Sequence, residues 1–438
     1  MTGPGSSLRR LWRRAFLEER PSVGLAAFRP AVALTVGAHV LPSLFELQDN
    51  YLRGAFKAKN HWFFPQEILT LIEASPDWLV IGMASCFVLA LASFALGLRT
   101  QRSAIAMTGG CYYFYALNAM HIGTLSFDIL LVTLVLVCAT EYPGDALSLD
   151  AVRRGDAAAH RHRRPFFVQR LLQLQLTWTF WYTALSKISA GGNWLTGQPF
   201  LSLMQYPPEG VVRAFPLRAW LGGQPQLCHW LGVALVAFEF VLPALWWIPR
   251  TRRIGIMLGV AFQLMLWGIL HVPTIFLFMF PALMGLFVPP ERIVSWIEDR
   301  RADAQAGARA VLVYDGACGF CRRQVRRLQA ADLFGWVRAV DAATLDAPER
   351  LAPGLDAARC RRELVLIEPG GRVSGGFAAL ARLTRRLPLL WWAAPALALP
   401  GASWVGGRLY RAVAARRRRC GDAAGSCGTD QGACSSNA

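Results

Sequence analysis

Along the first 290 residues, uncharged apolar runs of about 15 to 22 residues alternate with shorter polar or basic segments. A helix rises about 1.5 Å per residue, so most runs of this length can cross a hydrocarbon core, and the alternation predicts a polytopic α-helical membrane domain. The expected spans are residues 26–45, 78–98, 104–120, 125–139, 166–188, 227–248, 254–270 and 274–288, about eight in all. Two tight connections, His121-Ile-Gly123 and His271-Val-Pro273, pinch neighbouring spans into hairpins. An even number of crossings returns the C-terminus to the side of the N-terminus.

After residue 290 the period changes. Residues 291–308 are charged and end in Ala and Gly, the pattern of a linker helix. From 309 onward, β-prone runs alternate with amphipathic ones. Strands are expected at 310–314, 336–340, 363–368 and 372–374, with a Pro-Gly-Gly turn between the last two, and helices at 319–330 and 376–386. A β-α-β unit followed by β-β-α is the thioredoxin arrangement, so 309–412 is expected to be an α/β thioredoxin-like domain. Its last part, 387–412, is rich in Trp and Pro and reads as an amphipathic element packed on the domain or the membrane. Residues 413–438 are basic, then rich in Gly and Ser with Cys420, Cys427 and Cys434, the composition of a disordered tail.

Composition supports the membrane assignment. The chain is 54% hydrophobic and 17% charged, with 16 Trp and 25 Phe, which sets it apart from soluble globular proteins. A net charge of +18 would suggest nucleic acid in a soluble protein. Here the arginines collect in alternate loops. One side carries Arg99, Arg102, Arg153, Arg154, Arg161, Arg163, Arg164, Arg250, Arg252 and Arg253, together with the basic arm 1–25. The opposite side has few cations, among them Arg53, Lys57 and Arg213. Positive charge marks cytoplasmic loops, so both termini and the 309–412 domain are expected inside an inner (cytoplasmic) membrane, with the bilayer as partner and no nucleic acid required. The first apolar run lacks a cleavage pattern and is expected to stay as an anchor. Arg29, at its inner end, is expected to snorkel to the interface.

The chemistry concentrates in Tyr314-Asp-Gly-Ala-Cys-Gly-Phe-Cys321. A strand ends at an Asp-Gly turn that delivers Cys318 and Cys321 to the first turn of a helix. Unpaired N–H groups there, and the cationic field of Arg322, Arg323, Arg326 and Arg327, favour thiolate over thiol. Cys318 would attack a disulfide, and Cys321, one turn on, would resolve the mixed disulfide. Asp315 is a candidate for moving a proton or orienting the turn. Half a zinc site is an alternative, but the domain has no His and Cys360 is unpaired in sequence. Inert thiols are another. His160-Arg-His-Arg-Arg164 reads as a solvated loop and not a metal site, and His121 and His271 read as interfacial.

These residues, with Leu364-Val-Leu-Ile-Glu-Pro-Gly-Gly-Arg-Val373, resemble the DCC family of thiol-disulfide oxidoreductases, named for an Asp and two Cys, here Asp315, Cys318 and Cys321. The resemblance implies a thioredoxin-like redox fold. True thioredoxins place a cis-proline before the third strand, where this chain has Arg361-Arg-Glu363. The membrane part, through Tyr182-Thr-Ala-Leu-Ser-Lys-Ile188 and Asn193-Trp-Leu-Thr-Gly197, resembles the HTTM domain shared with vitamin K-dependent γ-carboxylases. That resemblance implies that Lys187, with Trp194, handles a quinone; a family histidine of the penultimate span is replaced by Gln263. Physically, an ammonium at the outer end of an apolar span is costly unless solvated or paired, so Lys187 is either a desolvated candidate base or a snorkelling cation.

The resulting expectation is a membrane-bound thiol–disulfide oxidoreductase acting on an unknown disulfide or thiol substrate, with a quinone as candidate lipophilic cofactor. The rival readings are a carboxylase- or epoxidase-like lipid- or quinone-handling enzyme whose dithiol is regulatory, and a transporter or binding protein whose Cys pair holds a metal.

Overall fold

The computed structural model describes residues 9–57, 65–116, 125–189, 194–207, 211–213, 215–272, 275–345, 347–353 and 355–424. The chain divides into two compact units, Met1–Asp150 with His160–Ile293, and Ala151–Ala159 with Val294–Ala438.

A helix stands at each of the apolar stretches in the first unit. They are α1 (Val23–Phe45), α2 (Asp77–Leu96), α3 (Thr100–Cys111, continued by a π-turn over Tyr112–Ala116), α4 (Leu125–Cys138), α5 (Phe167–Ser189), α6 (Pro225–Trp247), α7 (Arg252–Ile269) and α8 (Ile275–Gly285). Among the described residues, α1, α2, α6 and α7 are long and apolar enough to cross a membrane. A fifth crossing is counted if Leu277–Gly285 and α9 (Pro290–Ala306), which meet at 85°, form one broken span. The expected count of about eight is therefore not reached by these criteria. The 14 residues of α4 reach only about 21 Å, and α5 carries Gln169, Arg170, Gln173, Gln175 and Lys187 among its apolar positions. His121 lies outside the described residues.

The core of this unit is formed by Val32, Val36 and Val40 of α1, Phe87 and Phe94 of α2, Met107 of α3, Leu172 and Leu176 of α5, Trp246 of α6 and Leu283 of α8. Arg29 does not snorkel. Its side chain is buried and its guanidinium donates to the carbonyls of Pro143 (2.6 Å) and Leu147 (2.5 Å), with a longer contact to Ala146 (3.4 Å). An in-span arginine thus supplies the donors that a tight turn of backbone carbonyls would otherwise lack. The same turn leads to Asp150, whose carboxylate accepts from the N–H groups of Arg99 and Thr100 and caps α3. The basic arm contributes a short strand, β1 (Glu19–Pro21), antiparallel to β2 (Arg163–Pro165). His160, expected in a solvated loop, is only 2% exposed.

The second unit is built on a four-stranded sheet of β3 (Ala310–Tyr314), β4 (Val337–Asp341), β5 (Val365–Ile367) and β6 (Val373–Gly375), in spatial order β4-β3-β5-β6. Strand β3 runs parallel to β4 and antiparallel to β5, and β5 pairs antiparallel with β6. The β3–β4 crossover is α10 (Gly319–Ala331), as a parallel connection requires. Ala310, Leu312, Leu366, Val325, Ala379, Leu383 and Leu387 form one face of the core; Val313, Val365, Ile367, Leu355 and Cys360 form the other. After α11 (Gly376–Arg386), the final helix α12 (Ala402–Ala424) runs past the boundary expected at 412, so residues 413–424 continue a helix. Segment 151–159 belongs to this unit. Val152 packs against the core, and Arg301 of α9 donates to the carbonyls of Ala157 (2.9 Å) and Leu333 (2.8 Å).

Candidate functional site: a dithiol at a strand-to-helix turn

Strand β3 delivers the chain to Asp315 and Gly316, and Cys318 is the N-cap residue of α10, with φ −79° and ψ 112°. Its Sγ accepts from the Cys321 N–H at 3.4 Å, so the sulfur faces the unpaired amides of the first helical turn. Cys321 is buried and Cys318 half-buried, the difference expected between a resolving and an attacking thiol. The turn is held from outside the motif. Gly316 N–H donates to Asp341 Oδ1 at the end of β4 (2.9 Å), Ala343 N–H donates to the same oxygen (3.0 Å), and Arg322 Nη1 donates to the Gly316 carbonyl (3.1 Å). A Cβ on Gly316 would sit 1.8 Å from Asp341 Oδ2, so only glycine fits. Asp341 was not singled out in the sequence; its position at the end of the strand parallel to β3 is the signal that places it beside the turn.

Asp315 accepts the Ala317 N–H (3.1 Å), and its carboxylate and the two sulfurs lie within 4.8 Å of one another. Three such atoms could hold a soft metal ion. Among the described residues no fourth His, Cys, Asp or Glu joins them, whereas a structural zinc takes four protein ligands.

Beside Cys321 lies an apolar cavity of about 350 Å³. Tyr314, Asp315 and Phe320 form its dithiol side, and Leu364, Phe377, Leu380, Leu409 and Tyr410 the remainder. Helix α12, which the sequence placed in part within a tail, supplies one wall. It packs closely on α11, because Gly406 has room for no side chain against the Phe377 ring (2.1 Å to a built Cβ), and it is tied to the start of β5, where the Tyr410 hydroxyl accepts the Leu364 N–H at 2.9 Å. Arg361-Arg-Glu363 leads into this region, and the described residues contain no cis peptide bond.

In the helical unit, Lys187 neither stands alone nor snorkels. Its Nζ donates to both oxygens of Glu239 on α6, at 2.8 and 2.7 Å, and lies 6.0 Å from the Trp194 ring centroid. The two side chains are 21% and 7% exposed. Glu239 was missed in the sequence, although a lone acid inside an apolar run is the mark of a partner for a lone base. The Trp194–Thr196 turn ends in Gly197 (φ +76°), where a Cβ would stand 2.2 Å from His229 Cα, and a Cβ on Gly232 of α6 would stand 2.6 Å from the Trp194 carbonyl oxygen. Gln263 is buried in α7 and its Oε1 has no hydrogen-bond partner. His271 is exposed, its N–H donating to the Val211 carbonyl.

A multi-pass helical membrane protein carrying a thioredoxin-like dithiol domain is the class that these two units define. The HTTM domain family matches residues 20–292, more than half of the chain, and the chain belongs to that family. The DCC1-like thiol-disulfide oxidoreductase family matches residues 312–422, from β3 almost to the end of α12. No curated protein and no solved structure matches the chain significantly. The protein is therefore a membrane redox protein.

Proposed function

We propose that the protein exchanges disulfides through Cys318 and Cys321 with an apolar or lipophilic partner. The observation that carries this reading is the apolar cavity that Cys321 and Asp315 line, beside the turn that presents Cys318. In the reductive direction, the Cys318 thiolate attacks one sulfur of the substrate disulfide, forming a mixed disulfide and releasing one thiolate. The Cys321 thiolate then attacks Cys318 Sγ, forming the Cys318–Cys321 disulfide and releasing the second thiolate. Two electrons pass to the substrate, and the two protons of the dithiol end on the released thiols. Asp315, lining the cavity within reach of both sulfurs, is positioned to take the Cys321 proton. In the oxidative direction the same steps run in reverse: two substrate thiols pass two electrons and two protons to the Cys318–Cys321 disulfide, and a quinone, for which the pair Lys187–Glu239 with Trp194 is the candidate seat, would take those two electrons and two protons from the dithiol to become a quinol. Segment 151–159, part of a strongly basic loop, lies in the same unit as the dithiol, which supports placing the dithiol in the cytoplasm at an inner membrane.

The test uses the whole protein in detergent or nanodiscs. Cys321→Ser should accumulate a mixed disulfide at Cys318, visible by mass spectrometry, and Cys318→Ser should abolish disulfide exchange. Persistence of exchange in Cys318→Ser refutes the assignment. The second reading, a quinone-handling enzyme with a regulatory dithiol, is favoured by the buried Lys187–Glu239 pair. It predicts quinone turnover that survives Cys318→Ser and is lost in Lys187→Met.

A further inference from the structure

A second, larger cavity of about 960 Å³ lies in the same unit as the dithiol. Six arginines line it, Arg359, Arg362, Arg372, Arg382, Arg385 and Arg411, against a single carboxylate, Glu363. That carboxylate is held by Arg359 at 2.9 Å, and Arg382 shares Glu368 with Arg386 (2.6 and 3.2 Å). The remaining excess of positive charge converges on one concave space, where like charges focus the field and raise the local concentration of counter-ions.

Helix α11 begins in this cavity at Gly376, Phe377 and Ala378. Its N-cap residue, Gly375, makes no side-chain cap, and its first turn holds no acidic residue. A side chain at Gly375 would strike the Glu363 carboxylate at 2.4 Å, and the Gly376 N–H donates to the Leu364 carbonyl at 2.9 Å, so one carboxylate already faces the start of α11 and the ligand-binding donors of the cavity are its arginines. Several guanidinium groups around one concave space are the chemistry of a phosphate or carboxylate site, since guanidinium forks bind such oxygens two at a time. The concavity, about 960 Å³ and open to one side, suits a compact anion and not a duplex.

We propose that this cavity binds a compact polyanion, of the pyrophosphate or phospholipid-headgroup class. Phe377, Tyr410 and Ala414 line both this cavity and the apolar cavity beside Cys321, so an occupant would bear on walls common to both. The proposal does not depend on disulfide exchange, because binding is read without turnover.

The experiment measures binding to the full-length protein in zwitterionic micelles, titrated by calorimetry with pyrophosphate in one arm and dihexanoyl phosphatidylglycerol in the other. Either ligand is expected to bind with a Kd of about 1 mM or tighter and to weaken by about tenfold or more in Arg372→Gln/Arg385→Gln/Arg411→Gln. Pyrophosphate binding assigns a soluble ligand; binding of the lipid alone assigns a headgroup. In the wild type, where no variant need fold, the bound anion should protect Arg372, Arg385 and Arg411 from phenylglyoxal, read by peptide mass spectrometry. Binding of neither probe, undiminished affinity in the triple variant, or modification of the three arginines unchanged by ligand overturns the proposal.

Discussion

Replacing Gly316 by alanine tests whether the dithiol turn is held by Asp341. The new Cβ would lie 1.8 Å from Asp341 Oδ2, well inside van der Waals contact, so the carboxylate must swing away by more than an ångström. Two hydrogen bonds to a charged acceptor are then lost. The Gly316 N–H is buried and would be left without a partner, which costs about 1.5–3 kcal/mol. The Ala343 N–H is exposed and recovers most of its loss from water. The expected destabilisation of the dithiol unit is about 2–3 kcal/mol. Gly319→Ala is the control: its built Cβ meets only the ends of Arg323 and Arg322, at 3.8 and 4.0 Å, and alanine in a helix gains up to about 1 kcal/mol over glycine. The assay is thermal unfolding of the full-length protein in detergent, together with the rate of iodoacetamide labelling of Cys318 by peptide mass spectrometry. Gly316→Ala should melt lower and change the labelling rate, while Gly319→Ala melts at or above wild type. Equal melting of Gly316→Ala and wild type, or a larger loss in Gly319→Ala, would refute the argument.

Two further outcomes are expected. Lys187→Met strands a buried carboxylate and should cost about 3–5 kcal/mol, whereas Lys187→Met/Glu239→Leu should recover most of that loss; equal stability of single and double variants in denaturant titrations would remove the pair as a structural unit. At Glu368, partial burial would raise the carboxyl, but hydrogen bonds from Arg386 and Arg382 outweigh it and hold the group below its ordinary 4.5. The unfolded chain therefore binds that proton more readily. The contribution is present at neutral pH and is lost as pH falls below 4.5 through the folded value. Glu368→Gln should melt lower at pH 7 and converge with wild type in acid; parallel pH profiles would contradict this.

The parts legible in the sequence are those set by neighbours along the chain. A β-prone run, an Asp-Gly turn and Cys-x-x-Cys ahead of an amphipathic run fix β3, α10 and the capping position of Cys318 locally, and the alternation of short strands gave the order of the sheet. The partners that complete each site come from far away. Glu239 meets Lys187 across 52 residues and Asp341 meets Gly316 across 25. Nothing in a local pattern specifies such pairings, because they follow from which faces pack. Arg29 was misjudged for the same reason: its acceptors are carbonyls more than a hundred residues on. Helix α12 was cut short because its basic end resembles a tail, yet Gly406 fits it to α11, Tyr410 ties it to the start of β5, and it becomes a wall of the cavity.

The chain enters the dithiol unit twice, first at 151–159 and again from 294. During synthesis the first visit waits for roughly 150 more residues before its hydrophobic contact at Val152 exists, a delay on the order of ten seconds at ordinary translation speeds. Severing the polypeptide near residue 290 would accordingly part Val152 from the core it packs against, and a fragment starting at 294 should melt below the same unit in the intact chain.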